Sequence, residues 1–281
     1  MRDFLARNEA VIRFGVFFGL LAAMGLWETL APRRALVAKR GFRWINNLAL
    51  VAVDTLVLRL FFPVLAVAFA SLAAERDWGL FNLIAAPAWV AVPISFVALD
   101  LVIYAQHRVF HAVPLLWRLH MVHHADPDID TTTGVRFHPV EIALSMLIKF
   151  AAIAILGAPA LAVLLFEIVL NGASLFNHAN IRIPAGIDRV LRWLVVTPDM
   201  HRVHHSVVVR ETNSNFGFNF PWWDRLFGTY RAQPQAGHQA MTIGLEQFQN
   251  RRRQGLGWML ALPFRGQGGA YPRRAAPDTA R

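Results

Sequence analysis

Apolar residues along this chain gather into long continuous runs separated by short charged stretches, rather than alternating as they would in half-buried strands. Residues 14–27 carry no charge and lie between Arg13 on one side and Glu28, Arg33 and Arg34 on the other, which predicts a short spanning helix. A secretory signal peptide shares the basic start and apolar centre, but the basic segment that follows and the lack of a clear small-residue cleavage site favour an uncleaved span. Residues 48–74 form a second run, interrupted by Asp54, Arg59 and Pro63. Its two charges read as interfacial, with the span proper beginning near Leu58; the alternative is a pair buried inside the bundle. Residues 80–104 form a third span, with Pro87 and Pro93 near its start, where a missing helix hydrogen bond costs least. The runs 142–156 and 161–176 are hinged at Gly157, Ala158 and Pro159, which predicts a membrane hairpin over about 142–176, either spanning or re-entrant. Near the C-terminus, GLGWMLALPF suits a short amphipathic piece at the interface, and the last 17 residues have the Gly, Pro, Ala and Arg content of a disordered tail.

Composition moves this pattern into the membrane. With 281 residues, 56% of them hydrophobic and 16% charged, and a mean hydropathy of +0.39, the chain is too apolar for an ordinary soluble domain. The expected fold class is all-α, an integral-membrane helical bundle with a histidine-rich helical cap. The net charge of +10 comes from arginines scattered over loops and tail. No compact basic, aromatic-interleaved module exists, so no nucleic-acid partner is expected, and attraction to anionic lipid head groups accounts for the charge. The loop 32–44 holds five basic residues and no acid, whereas 71–82 holds Glu75, Arg76 and Asp77, and from Arg182 onward 14 arginines face six acids. These asymmetries predict a multi-pass protein whose histidine boxes and C-terminus are cytoplasmic.

The candidate chemistry lies in histidine. The chain has no cysteine, which removes disulfides and thiolate metal sites. Eight of its 11 histidines fall in HRVFH (107–111), HMVHH (120–124) and HRVHH (201–205). On a helix, positions i, i+3 and i+4 share a face, so His107 and His111, then His120, His123 and His124, then His201, His204 and His205 each present their rings together. Eight imidazoles exceed what one ion takes, so two ions are implied. His178, in FNHAN after the hairpin, is a ninth candidate, and nine nitrogens give each ion four or five ligands with open positions, unlike a closed structural zinc site. For the second and third boxes to meet, the 76 residues between them must cross the membrane and return.

Around these ligands the expectations are weaker. Asp100, Tyr104, His107 and His111 follow one helical stripe, which makes Asp100 the candidate carboxylate accepting a ligand N–H; a buried acid paired with an arginine is the alternative. His138, before a proline and a helix start, either caps or ligates. His238 reads as solvated surface, and Arg108 and Arg202 as pointing at head groups or solvent. Phe61, Phe62, Trp89 and Phe96 either line a lipid channel or simply pack.

The ordered series HRVFH, HMVHH, RFHPVE, FNHAN, TPDMHRVHHS and NFGFNFPWWDRLFGTY, over residues 100–230, resembles the fatty acid hydroxylase superfamily, which includes the sterol desaturases and methyl sterol oxidases. The resemblance implies a non-haem di-iron centre on the cytoplasmic side of a helical bundle, using O2 and externally supplied electrons to hydroxylate or desaturate a lipid or sterol-like substrate. It implies as ligands His107, His111, His120, His123, His124, His201, His204 and His205, with His178 matching a further family histidine. Asp199, Asn215 and the segment 223–230 match family positions of structural support; at Phe216 the family more often has tyrosine. Three regions follow: transmembrane helices over 1–95, the catalytic region with its hairpin over 96–232, and a cytoplasmic tail, partly disordered, over 233–281. No fused haem-binding carrier domain is evident, so a separate ferredoxin, cytochrome or reductase is expected as donor. The competing readings are a membrane zinc-dependent lipid hydrolase, with Glu141 or Asp199 as base, and a non-catalytic metal-binding membrane protein, whose ligands would lie within the spans.

Overall fold

The computed structural model describes residues 2–250 and 254–265, with side chains from Asn8 onward. The long helices are α1 (Arg2–Leu30), α2 (Arg40–Phe61), α3 (Ala66–Glu75), the single turn α4 (Leu80–Leu83), and α5 (Ala88–Ala112). After them come α6 (Pro114–His124), the hairpin α7 (Pro139–Leu156) and α8 (Ala160–Asn177), then short cap helices α9 (Ala185–Leu191), α10 (Pro198–His204), α11 (Val209–Thr212), α12 (Trp222–Leu226), α13 (Gly237–Ala240) and α14 (Leu256–Ala261). Among the described residues there is no strand, only the isolated bridges Pro32 to Ile181 and Ser206 to Ile243. The all-helical expectation holds. Among the described residues, five segments are long and apolar enough to cross a membrane: Asn8–Leu30, Arg40–Leu83, Ala88–Ala112, Pro139–Leu156 and Ala160–Asn177. Each hairpin arm has 18 residues, a rise of about 27 Å against a hydrocarbon core of about 30 Å.

Small residues set the bundle's packing. Ala66, Ala70 and Ala73 share one face of α3 and are fully buried against α7 and α8, because only a methyl-sized side chain lets helix backbones approach closely in a membrane. The core on this side is Leu99, Ile103, Ile153, Val163 and Phe166. Gly157 ends α7 in the left-handed region at φ +66°, and Gly79 sits at φ +87° with its Cα facing Gly157 so closely that a Cβ would lie 2.1 Å from the Gly157 nitrogen. The hairpin tip therefore touches the loop after α3, and the two ends of the hairpin, His138 and His178, return to the opposite pole with the boxes.

Charges within the spans depart from expectation. Asp54 is 7% exposed, Arg59 is exposed, and the two are not paired. The reason is that α2 begins at Arg40 rather than near Leu58, so Asp54 lies well inside the bundle. A genuine intramembrane group lies elsewhere, where Arg13 Nη1 meets Glu167 Oε2 at 2.6 Å and Lys149 pairs with the other carboxylate oxygen. The GLGWMLALPF segment also differs: Met259 and Leu262 are fully buried against Trp117 and Met121 of α6, so its apolar face is taken up by protein. The disorder expected for the last 17 residues falls, apart from Arg265, outside the described residues.

Candidate metal centre

Four segments converge at the pole opposite Gly157. The last two turns of α5 carry His107 and His111; after Val113, Pro114 opens α6 at its first position, where a missing N–H is harmless, and α6 carries His120, His123 and His124. Thr197 caps α10, its hydroxyl accepting from Met200 N, with Pro198 at the first helical position, and α10 delivers His201 and His204, with His205 at its C-cap. His178 is the C-cap of α8.

The nine rings fall into two groups. His107, His111, His120, His124 and His204 form one, His123, His178, His201 and His205 the other, and in each group the ligand-capable atoms all lie within 4.8 Å of one another. All nine are at most 3% exposed. The partition follows from helical spacing. The i,i+4 pair of the second box (His120, His124) joins the first group and its i+3 ring (His123) the second. The third box is reversed, giving His201 and His205 to the second group and His204 to the first. Each of these two boxes thus bridges both groups.

Hydrogen bonds fix which nitrogen is free. Nδ1 of His107 lies 2.8 Å from the Phe216 carbonyl, Nδ1 of His178 2.8 Å from that of Ser174, and Nδ1 of His204 2.8 Å from that of Ser214. A carbonyl can only accept, so Nδ1 donates and Nε2 keeps its lone pair in each ring. His111 Nδ1 is 3.3 Å from Asn213 Oδ1, and His120 Nδ1 is 2.7 Å from Glu141 Oε1. The free nitrogens then face one another: His107 Nε2 to His120 Nε2 at 3.1 Å, and His178 Nε2 to His123 Nε2 at 3.1 Å and to His201 Nε2 at 3.0 Å. Two nitrogens held at about 2.1 Å from one ion and at right angles to it lie about 3.0 Å apart. Further ring nitrogens, His111 Nε2, His204 Nε2 and both nitrogens of His124 and of His205, are buried without a hydrogen-bond partner. Burial, reinforced by neighbouring imidazoles, holds His123, His124, His201, His204 and His205 well below the ordinary histidine value; burial takes His120 and His178 down to about 3. Neutral, orphaned, mutually facing donors fit metal ions.

The expected support from Asp100 is not there. Its Oδ2 accepts from Trp223 Nε1 at 2.8 Å, while the rings on its stripe are oriented by Phe216 and Asn213. Periodicity put Asp100 on the correct face of α5, but a bulky indole from α12 reaches it first. The carboxylate that does hold a box histidine is Glu141, in the first turn of α7, with Oε2 left unpartnered. His138 is a cap rather than a group member: its Nδ1 accepts from Val140 N and its Nε2 contacts the Leu260 carbonyl. Asp199 lies outside both groups, held by Arg33 at 3.0 Å and by Arg202. Arg202 is accordingly fully buried, not directed to solvent, and His238 is 5% exposed rather than a surface residue. Arg108 is exposed as expected. Asn215, at φ +53°, donates to the Met200 and Arg231 carbonyls, and Phe216 packs its ring on His107, His111 and His204.

The second box is braced from below by buried ions. Arg43 of α2 binds Asp126 through Nε at 2.8 Å and Nη2 at 2.7 Å, and also pairs with Asp130, while Arg136 donates to the Val122 carbonyl at 2.8 Å. Burial would raise the Asp126 carboxyl, but the two guanidinium groups hold it below the usual range.

Comparison with known proteins agrees with this site. The family model described as fatty acid hydroxylase matches residues 92–229, which include every box. Over 144 residues the chain is 31% identical to an ornithine lipid hydroxylase, OlsE, of Rhizobium tropici, covering 51% of this chain and 43% of the relative. It is 26% identical to an alkylglycerol monooxygenase of Xenopus tropicalis, covering 56% of this chain and 34% of the relative. It is 28% identical to a cholesterol 25-hydroxylase of Rattus norvegicus, covering 52% and 48%. The chain thus spans less than half the length of these curated relatives, and no solved structure matches it with significance. With three histidine boxes in family order, brought to one buried pole of an apolar helical bundle, residues 92–229 of the chain carry the pattern of the fatty acid hydroxylase family.

Proposed function

We propose that this protein is a membrane-bound non-haem di-iron oxidoreductase that hydroxylates or desaturates a lipid or sterol-like substrate with O2 and electrons from a separate donor. The observation that supports it best is the division of nine buried imidazoles into groups of five and four. His107, His111, His120, His124 and His204 would hold one iron and His123, His178, His201 and His205 the other. Bound there, iron supplies activation of O2 for removal of hydrogen from an unactivated C–H bond. The chain's own part is to fix the rings and keep water out: the Phe216, Ser174 and Ser214 carbonyls, Asn213 and Glu141 orient Nδ1, Phe137 stacks on His123, and Phe216 and Phe218 pack against the other rings. Residues 96–232 would form the catalytic unit.

The relatives' names are those of lipid hydroxylases and monooxygenases, which supports a lipid as the substrate class. The zinc hydrolase reading finds little support, because Glu141 is engaged by His120 and Asp199 by Arg33 and Arg202. The arginine excess of residues 182–281 and of the loop 32–44 supports a cytoplasmic pole for the boxes.

The deciding experiment is metal analysis with turnover. Purified protein should carry two irons per chain and, with reductant, incorporate isotopically labelled O2 into a cellular lipid. One ion or none per chain, or lipid oxidation without O2, overturns the proposal. His204→Ala and His123→Ala should each remove activity while membrane insertion is kept. Because the chain has no cysteine, Asp77→Cys should react with an impermeant thiol reagent from outside intact cells and Arg189→Cys only after permeabilisation; the reverse pattern overturns the orientation.

A further inference from the structure

A second feature lies beside the histidine pole and takes no part in it. A cleft of about 470 Å³ is walled by the segment that leaves α8, by α9 and by the start of α10. Four arginines line it, Arg33, Arg182, Arg189 and Arg192, together with His238. Two carboxylates also line it, both ion-paired: Asp188 with Arg192 through Oδ2, its Oδ1 left without a partner, and Asp199 with Arg33 and Arg202. Among the described residues Arg182 and Arg189 have no ion pair, and both are exposed at the cleft. Deeper in, Arg192 is 5% exposed and keeps Nε without a partner, and His238 faces Asp199, its Nε2 3.6 Å from Oδ2, with Nδ1 buried and unbonded. With Arg182 and Arg189 unpaired and Arg192 Nε free, the cleft keeps a surplus of guanidinium donors, which is the chemistry that takes up a phosphate or carboxylate.

The surface beside the cleft is apolar. The outer side of α9 and the turn after it expose Ile187 (54%), Val190 (63%), Trp193 (59%) and Leu194 (58%). The ridge continues across Trp222, Leu226 and Phe227, joined to it by Trp222 Nε1 donating to the Trp193 carbonyl at 2.8 Å and by Arg225 stacked 3.8 Å over the Trp193 ring. Its depth can be read from α5. Trp223 bonds Asp100, which lies seven residues into the span from His107, a rise of about 10 Å toward the membrane. The ridge thus stands level with the outer turns of a spanning helix, where tryptophan and arginine beside apolar surface meet lipid head groups.

We propose that the cleft binds the phosphate of an anionic phospholipid whose acyl chains lie along the Ile187, Val190, Trp193 and Leu194 ridge, seating the histidine-bearing cap on the bilayer. The site needs no metal and stands apart from the proposed reaction. An acidic carrier protein would also suit the arginines but would leave the apolar ridge at head-group depth unaccounted for.

The test uses full-chain protein in detergent, with native mass spectrometry following titration by phosphatidylglycerol, phosphatidylcholine or inorganic phosphate. Phosphatidylglycerol should bind at least about tenfold more tightly than phosphatidylcholine, and Arg182→Glu with Arg189→Glu should remove about tenfold of that affinity. Arg76→Glu, at the other pole, should leave binding unchanged. Trp193→Ala should weaken the lipid but not inorganic phosphate, which separates a lipid site from a free-anion site. If the double variant fails to insert, Arg189→Gln alone is read in its place. Equal binding of the two lipids, unchanged affinity in the arginine variants, or phosphate binding with lipid indifferent to Trp193→Ala would each overturn the proposal.

Discussion

Nδ1 of His120 lies 2.7 Å from Oε1 of Glu141, a contact that ties the second histidine box to the first turn of the hairpin. A carboxylate accepting from a ligand imidazole fixes the ring and raises its basicity, and its loss typically costs 10- to 100-fold in metal affinity, so about that loss is expected for Glu141→Leu. Glu141→Gln keeps an acceptor oxygen and should fall between the variant and the parent. Titration of the metal-free protein with cobalt(II), read by its absorption, checks the order; unchanged affinity in Glu141→Leu removes Glu141 from this role.

A different dependence is expected of Arg43. Its guanidinium is 1% exposed and serves both Asp126 and Asp130, which are themselves fully buried. Replacing it leaves Asp130 without its cation and Asp126 with Arg136 alone, at 3.8 Å, and breaking such a buried pair costs about 3–5 kcal/mol. Arg43→Leu should therefore lower the thermal midpoint in detergent markedly and loosen the second box, whereas Arg43→Leu with Asp126→Asn and Asp130→Asn should recover part of the loss. A single variant as stable as the parent would show that this network contributes nothing.

The convergence of the histidines was legible in the sequence because helical periodicity alone places i, i+3 and i+4 rings on a face, and even the five-and-four partition obeys that spacing. The supports were not. Glu141, Asn213 and the Phe216 and Ser214 carbonyls come from other segments, and their approach depends on how α7 and the loops after α10 fold back, which no local pattern encodes. Asp100 shows the limit well: its face was correct, and only the arrival of Trp223 from 123 residues away decides its partner. Arg43 likewise sits in a basic loop that reads as a topology signal, yet α2 begins before it and carries it inside to Asp126. The burial of His238 is hidden from the sequence because a polar loop does not reveal that Asp199 and the arginines fold over it.

Acid should act first on the metal-free protein. The box histidines outside the spans have folded values pushed below 6.5, to about 3 for His120 and His178, so above pH 6.5 they are neutral whether folded or unfolded and contribute no pH dependence. Below that, the unfolded chain takes up protons that the folded site refuses, and stability falls as pH drops toward 3 by up to about 1.4 kcal/mol per pH unit for each ring. Thermal midpoints of metal-free protein should drop steeply between pH 6.5 and 5. A midpoint indifferent to pH across that window contradicts the buried neutral state of these rings.

Gly134 links the fold to one group of histidines and not the other. A Cβ there would lie 2.2 Å from the Ser174 carbonyl oxygen and 3.1 Å from His178 Nδ1, and that carbonyl is the acceptor that orients His178. Because the first obstacle is helix backbone, relief must come from α8 moving away, which turns His178 off His123 and His201. Gly134→Ala should therefore lower affinity for the second ion while leaving the first, whose five rings come from α5, α6 and α10. Two-phase metal titration separates these cases: a parental curve shows that the backbone absorbs the methyl, and equal loss of both ions shows that the groups do not load independently.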